Sequence, residues 1–377
     1  MSDIVNPDYL YPGDLAILTV DVVNQILKWC IAEDASDIAF SPNEAIFMRR
    51  YGVWMRITRR VISTHEISFL LDQFSKQPSA SSQTMSGQDV DYGYEITLER
   101  GKRVRFRCNA TGCRDGWSSG IAMVLRTIPE FPPKLSSFNL PDHLIEAFKP
   151  RYGLVLVTGP VGSGKSTLLT SALRDIAETE RKHILTYESP IEFDLMGLPD
   201  KMALVTQTEV PIHLSSFAAA PRNSLRRAGD VVLFGEARDQ ETLRNMSIEA
   251  ETGVAVYSTV HTNSVAETIS RMVREFPEGE RDGMAATLIA ASRLIVHQRL
   301  IPTINGDGRV AVREWLIFTD EVVNTLIKTP VKELIPVMNE LVNTYGRPLI
   351  MDVTEHYEQG LISEVEYQSF LRSKVSR

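Results

Sequence analysis

Eight consecutive residues, Gly159, Pro160, Val161, Gly162, Ser163, Gly164, Lys165 and Ser166, have the spacing G-x-x-x-x-G-K-[ST]. Backbone N–H groups can ring phosphate oxygens only where side chains leave room, and a lysine ammonium then neutralises the outer phosphates. Ser166, with Thr167 beside it, offers a hydroxyl to a magnesium ion, and a helix starting here points free N–H groups at the same phosphates. The competing reading is a Gly-rich turn that only joins a strand to a helix. The apolar run Leu154 to Val157 just before the loop and the carboxylates after it favour phosphate binding. The expectation is a chain that binds ATP with Mg2+ and hydrolyses it.

Two acidic segments supply the rest of that chemistry. The run from Ile184 to Glu192 carries Glu188 and Glu192, and the apolar run from Val231 to Phe234 leads through Gly235 to Glu236. Ligands of open α/β sheets sit outside the carboxyl ends of the strands, so each acid can face the nucleotide. Hydrolysis needs a carboxylate to orient or deprotonate water, and magnesium takes carboxylate or water neighbours. Glu236 is assigned to the metal side, Glu188 to the water, and Glu192 stands as a weaker candidate for the water. A solvated acid at a strand end remains open for both of the latter. His261 closes another apolar run and precedes Thr262 and Asn263. It can sense the γ-phosphate through a hydrogen bond, while a packed or surface histidine fits nearly as well.

These residues need a scaffold, and the pattern around them provides one. Leu154 to Val157 reads as a strand and Ser166 to Glu178 as a helix, the context that phosphate binding demands. Ile184 to Tyr187, Met202 to Val205, Val231 to Phe234 and Ala255 to Thr259 are further strands between helical stretches, so a mostly parallel sheet with helices on both faces is expected. A hairpin-like Asn305 to Arg309 leads into Val310 to Ile317, and the chain beyond Asp320 looks helical, including Val331 to Tyr345 and Glu364 to Phe370. Ahead of all this, Thr19 can cap a helix with Val22, Val23, Ile26, Leu27 and Cys30 on one face. Strands follow at Asp37 to Phe40 and Ala45 to Ile57. Tyr92, Tyr94 and Ile96 alternate with polar or small residues, and Phe106 and Cys108 alternate with Arg103, Arg105 and Arg107, whose side chains therefore share a wet face. Five prolines between Pro129 and Pro150 disfavour regular structure. The expected organisation is an extension 1–18, a first domain 19–128, a linker 129–150 and a nucleotide-binding domain 151–377.

The bulk numbers narrow the class. A length of 377 residues suits two cores better than one. A net charge of -8 disfavours a surface built for nucleic acid. A DNA or RNA motor would need a lysine and arginine channel or stacking aromatics, and Arg103, Arg105 and Arg107 fit nucleotide contact between subunits equally well. Cys30, Cys108 and Cys113 have no metal-ligand spacing and no closed pairing, which fits a reducing cytoplasm. No histidine spacing marks a zinc site. The apolar runs fall short of a bilayer span, and Met1 to Asp14, with Asp3, Asp8 and Asp14, is unlike a signal peptide. Membrane contact is expected through partner proteins.

In family order, these motifs resemble those of the secretion ATPases that power type II secretion, type IV pili and type IV secretion. The similarity runs from about Val22 to beyond Glu314 and lies nearest the pilus-retraction branch and the Dot/Icm branch of type IVB secretion. The resemblance assigns Gly159 to Thr167 to Walker A, Ile184 to Phe193 to the Asp box, Asp230 to Glu236 to Walker B and Ser258 to Ser264 to the His box. It makes Glu188 the catalytic glutamate and His261 a nucleotide sensor. Arg238, Asp239, Glu251, Thr252 and Gly253 also match. In the first domain it rests on Ala35, Ser36, Asp37, Arg49, Gly52, Asp89, Asp91, Arg105, Phe106, Arg107, Asn109, Leu125, Arg126, Ile128 and Pro129. It implies a RecA-like P-loop ATPase domain preceded by a smaller PAS-like α+β domain, closing over nucleotide in a homo-hexamer. Arginines of the first domain, with Arg105, Arg107 and Arg126 as candidates, would reach the phosphates. Inner-membrane secretion ATPases or platform proteins are the implied partners. Ser189 stands where the Asp box usually has an aspartate, Pro221 interrupts a segment that is usually a smoother helix, and the four-cysteine zinc element of the assembly and type II branches is missing.

Overall fold

The computed structural model describes residues 10–13, 15–50, 53–99, 102–128, 130–237, 239–306 and 308–375. Asp3, Asp8, Asp14, Gly52, Pro129 and Arg238 lie outside them. The chain divides into two compact units that meet at Glu130 and Phe131.

In the first unit, Thr19 Oγ1 accepts the Val22 N–H at 3.3 Å and starts α1 (Val20–Ala32), which buries Val23, Ile26, Leu27 and Cys30. The elements that follow are β1 (Asp37–Phe40), β2 (Ala45–Arg50), β3 (Val53–Val61), α2 (Thr64–Ser75), α3 (Ala80–Met85), β4 (Val90–Glu99), β5 (Lys102–Asp115) and β6 (Ser118–Ile128). The stretch expected as one strand from Ala45 to Ile57 is therefore two antiparallel strands, paired as far as Arg50 opposite Val53. Among the described residues the strands form one antiparallel sheet in the order β3-β2-β1-β6-β5-β4. The period of two holds along β5: Phe106, Cys108 and Ala110 are buried, while Arg107 and Asn109 are exposed and Arg105 is half-buried.

The second unit is a nucleotide-binding sheet of the RecA-like kind. Its elements are α4 (Asp142–Ala147), β7 (Gly153–Thr158), α5 (Lys165–Thr179), β8 (His183–Glu188), β9 (Leu204–Glu209), α6 (Ala220–Ser224), β10 (Val231–Phe234), α7 (Gln240–Glu251), β11 (Ala255–Val260), α8 (Glu267–Val273), α9 (Arg281–Ala291), β12 (Ser292–Pro302), β13 (Arg309–Ile317), α10 (Asp320–Ile327), α11 (Leu334–Tyr345), α12 (Leu349–Glu358) and α13 (Glu364–Val375). The order is β13-β12-β7-β11-β10-β8-β9, parallel except for the β12–β13 edge pair. All of β7 is buried, with Leu154 and Leu156 in the apolar layer of α7, α8 and α9 and Val155 and Val157 in that of α5. Each such side chain contributes about 1.5–3 kcal/mol, which anchors the strand feeding the phosphate loop.

Two local readings differ from the pattern, and around Pro221 the helical segment is short. The proline-dense stretch expected as a linker is, from Phe131 onward, part of the second unit: Leu135, Leu140, Leu144 and Phe148 are buried against β7 and α5. Its prolines shorten the elements without excluding them, since Pro141 sits at the amino end of α4, where no N–H is required. The strand expected from Met202 begins at Leu204, because the Met202 and Ala203 N–H groups bond to Ala177 O at the end of α5. Pro221 lies in the first turn of the short α6, a position that tolerates proline.

Candidate active site

The phosphate loop leaves β7 and enters α5. Gly164 caps the helix in the left-handed region, φ +79°, where a side chain would be strained and would also crowd Gln298. The Lys165, Ser166 and Thr167 N–H groups precede the first intrahelical bond, Leu168 N to Gly164 O at 3.0 Å, and glycine has no side chain to cap them. Free N–H groups at a helix start are suited to an anion. Lys165 is buried, and its ammonium donates to Gly159 O at 2.9 Å and Pro160 O at 3.0 Å. Burial lowers its pKa, opposed by the charges of Glu236 and Glu192. Pro160, Val161 and Gly162 are exposed at the loop tip, Ser163 is buried, and Ser166 and Thr167 are half-buried.

Along the carboxyl edge of the sheet, β11, β10 and β8 follow β7 in spatial order, so His261, Glu236 and Glu188 leave neighbouring strands. Glu188 is buried; its Oε1 accepts from Thr186 Oγ1 at 2.6 Å and from Gln207 Nε2 at 3.2 Å. Gly235 packs against it: a Cβ there would lie 3.3 Å from Tyr187 O and 3.4 Å from Glu188 Cα. Thr259 Oγ1 donates to Gly235 O at 2.7 Å and ties β11 to this turn. Glu236 Oε1 and His261 Nε2 are 3.4 Å apart. A cavity of about 340 Å³ opens beside the pair, lined also by Leu243, Met272, Arg271 and Glu275. Glu192 is half-buried in the loop after β8. Among the described residues no three of His, Cys, Asp and Glu converge as a metal cluster. The Ser166 hydroxyl at the start of α5 and the Glu236 carboxylate after β10 are oxygen donors of the kind magnesium takes beside water and phosphate.

The sequence reading missed three polar residues that shape the site. Gln207 on β9 orients Glu188 while its Oε1 accepts the Leu195 N–H at 2.8 Å. Gln298 on β12 donates Nε2 to Ser163 O at 2.7 Å, and Arg313 on β13 donates Nε to Gln298 Oε1 at 2.8 Å. The available signal was a glutamine flanked at short range by the apolar residues Leu294 to Val296 and Leu300 to Ile301, a setting in which burial demands a partner.

The candidate arginines belong to the first unit. Arg107 and Arg126 stand opposite one another across β5 and β6, and Arg105 stands opposite Glu95 on β4. Arg126 Nε donates to Oδ1 of the buried Asp37 at 2.8 Å, and Arg103 pairs with Glu95 at 3.1 Å. Carboxylates of the same unit therefore answer part of the positive row.

The chain matches the family described as "Type II/IV secretion system protein" over residues 13–372. It is 36% identical over 275 residues to a twitching motility protein of Neisseria gonorrhoeae, covering 73% of this chain and 71% of that one. Among solved structures, the Legionella pneumophila ATPase DotB superposes with a TM-score of 0.85 at 40% identity, covering 97% of this chain and 100% of that one. The pilus retraction motor PilT with bound ADP gives 0.78 at 31% identity, over 94% and 97% of the two chains.

Proposed function

Because the chain belongs to the type II/IV secretion system protein family and is an ATP-hydrolysing motor of its secretion and pilus-motor ATPases, we propose that it works as a ring of six that energises a type IVB, Dot/Icm-like secretion system. The observation that carries this reading is the likeness to the DotB structure along 97% of the chain, through both units.

In this reading the first unit is a PAS-like domain that closes over nucleotide and brings Arg105, Arg107 or Arg126 to the phosphates. The loop Gly159 to Thr167 cradles the phosphates with its N–H groups. Lys165 exchanges its present acceptors, Gly159 O and Pro160 O, for phosphate oxygens. Magnesium, held by Ser166, Glu236 and water, would neutralise charge developing on the transferred phosphoryl group. Glu188, held by Thr186 and Gln207, orients the attacking water and takes its proton. His261, against Glu236, registers loss of the γ-phosphate. In this reading the ring is recruited to the inner membrane from the cytoplasm through partner proteins; no helix among the described residues is long and apolar enough to cross a membrane.

A pilus-retraction motor is the second reading, favoured by the likeness to the pilus retraction motor PilT at 31% identity. A pull-down from native membranes with Glu188→Gln, loaded with ATP, separates them. Recovery of type IVB coupling proteins supports the first reading, and recovery of a pilus platform protein overturns it in favour of the second.

A further inference from the structure

We infer that Gln298 is a positioning residue for the phosphate loop, its amide held in one orientation by Arg313 and, through Arg313, by helix α12. The inference rests on nucleotide binding at that loop.

The orientation follows from donor and acceptor chemistry. Gln298 is 2% exposed, so both ends of its amide must find partners inside the protein. A guanidinium only donates, so the side facing Arg313 Nε must be the carbonyl oxygen. The NH2 is then turned to Ser163 O, and flipping the amide would set donor against donor at one end and acceptor against acceptor at the other.

The consequence for the site lies in one peptide plane. Ser163 C=O and Gly164 N–H belong to the same planar trans unit and point in opposite directions. When Gln298 draws the carbonyl toward β12, it turns the Gly164 N–H away from β12, the side on which phosphate oxygens would sit in the proposed nucleotide reading. The glycines make this approach possible: a Cβ on Gly159 would lie 2.3 Å from Gln298 O, and one on Gly164 2.9 Å from Gln298 Nε2. These loop glycines thus leave room for β12 as well as for phosphate.

Arg313 is fixed in turn. It is buried with its guanidinium 5.5 Å from the centre of the Phe138 ring, and its backbone N–H donates to Asp352 Oδ2 of α12 at 2.8 Å. Asp352 also pairs with Arg347 at 3.1 Å. The next residue, Glu314, accepts the Val265 N–H, in the loop after His261, at 2.7 Å and the Leu349 N–H, at the start of α12, at 3.4 Å. Two adjacent residues of β13 therefore tie α12 to the phosphate loop and to the histidine loop.

Titration calorimetry of the full chain with ADP tests this. Gln298→Glu keeps the acceptor that Arg313 needs but sets a carboxylate oxygen against Ser163 O. It is expected to bind ADP about tenfold more weakly at a temperature well below its melting midpoint, which the same buried repulsion also lowers. Affinity within about twofold of the parent, in a parent that binds ADP, overturns the inference alone; a parent that binds no ADP overturns the nucleotide reading as well. A second readout does not depend on that variant folding well. Asp352→Ala, remote from the loop, is expected to speed hydrogen exchange of the amides at 162–165, and unchanged exchange there also overturns the inference.

Discussion

Glu236 and His261 face each other, Oε1 to Nε2 at 3.4 Å, from the ends of the paired parallel strands β10 and β11. The sequence alone assigns them separate tasks, one at the metal and one at the γ-phosphate, but groups this close act as a unit. Glu236→Gln and His261→Ala are each expected to slow turnover more than about tenfold, with the double variant no slower than the worse single one. Steady-state phosphate release, repeated across a magnesium titration, checks it; losses that multiply would show two independent roles.

Glu188→Gln keeps an oxygen for Thr186 Oγ1 and Gln207 Nε2, so the pocket should persist while the group that takes the proton is gone. ATP binding is expected to stay within about twofold and single-turnover hydrolysis to fall at least about a hundredfold. Gln207→Leu leaves the carboxylate but removes one of its fixed donors, and a drop of about threefold to tenfold in turnover with unchanged ATP affinity is expected. An ATP-binding defect in Glu188→Gln would make Glu188 structural instead.

Much of this was legible because local chemistry dictates it. The phosphate loop requires glycines whatever packs around it, and the run Val231 to Phe234 reads as a buried strand because all four of its residues are apolar. Thr19 announced its helix through its hydroxyl. Other features depend on partners far along the chain. Gln298 braces a loop 135 positions away, and nothing near it in sequence says so. Asp37 draws in Arg126 from 89 positions away, which changes the meaning of that arginine. The segment after Pro129 looked like a linker because proline density reports local stiffness, whereas its place in the second unit depends on Leu135, Leu144 and Phe148 finding a distant apolar layer.

Glu249 on α7 gives the second unit a pH dependence of its own. Its side chain is fully buried, Ser224 Oγ donates to Oε1 at 2.5 Å, and Oε2 has no partner. Burial pushes its pKa from 4.5 up to about 7. The folded protein then keeps a proton that the unfolded chain releases, so stability falls as pH rises from about 4.5 to about 7 and levels off above. The full shift is worth roughly 3 kcal/mol. Glu249→Gln lacks this component, and its stability relative to the parent, from urea midpoints, is expected to rise between about pH 5 and pH 8. A pH-independent difference would show that Glu249 ionises normally.

The last prediction concerns the arginines of the first unit. Side chains two residues apart on a strand share a face, so Arg105 and Arg107 form a positive row, with Arg126 opposite Arg107 on β6. Like charges set side by side repel unless an anion or carboxylate answers them. Asp37 answers Arg126, and because Asp37 is buried its carboxylate would lose a charged partner if Arg126 were cut back. Arg126→Ala is therefore expected to lower stability by about 1–3 kcal/mol whatever it does to turnover. The bond to this buried carboxylate is made by Arg126, so alanine variants of Arg105 and Arg107 should leave the melting midpoint within a degree or two and report on catalysis alone. If the first unit delivers charge to phosphate when the ring closes, at least one of Arg105→Ala and Arg107→Ala cuts turnover more than about tenfold while the oligomer keeps its size. Light scattering run beside phosphate release on each variant reads both quantities. Full activity in these two, with loss confined to a destabilised Arg126→Ala, would assign the row to the fold of the first unit and remove it from the catalytic account.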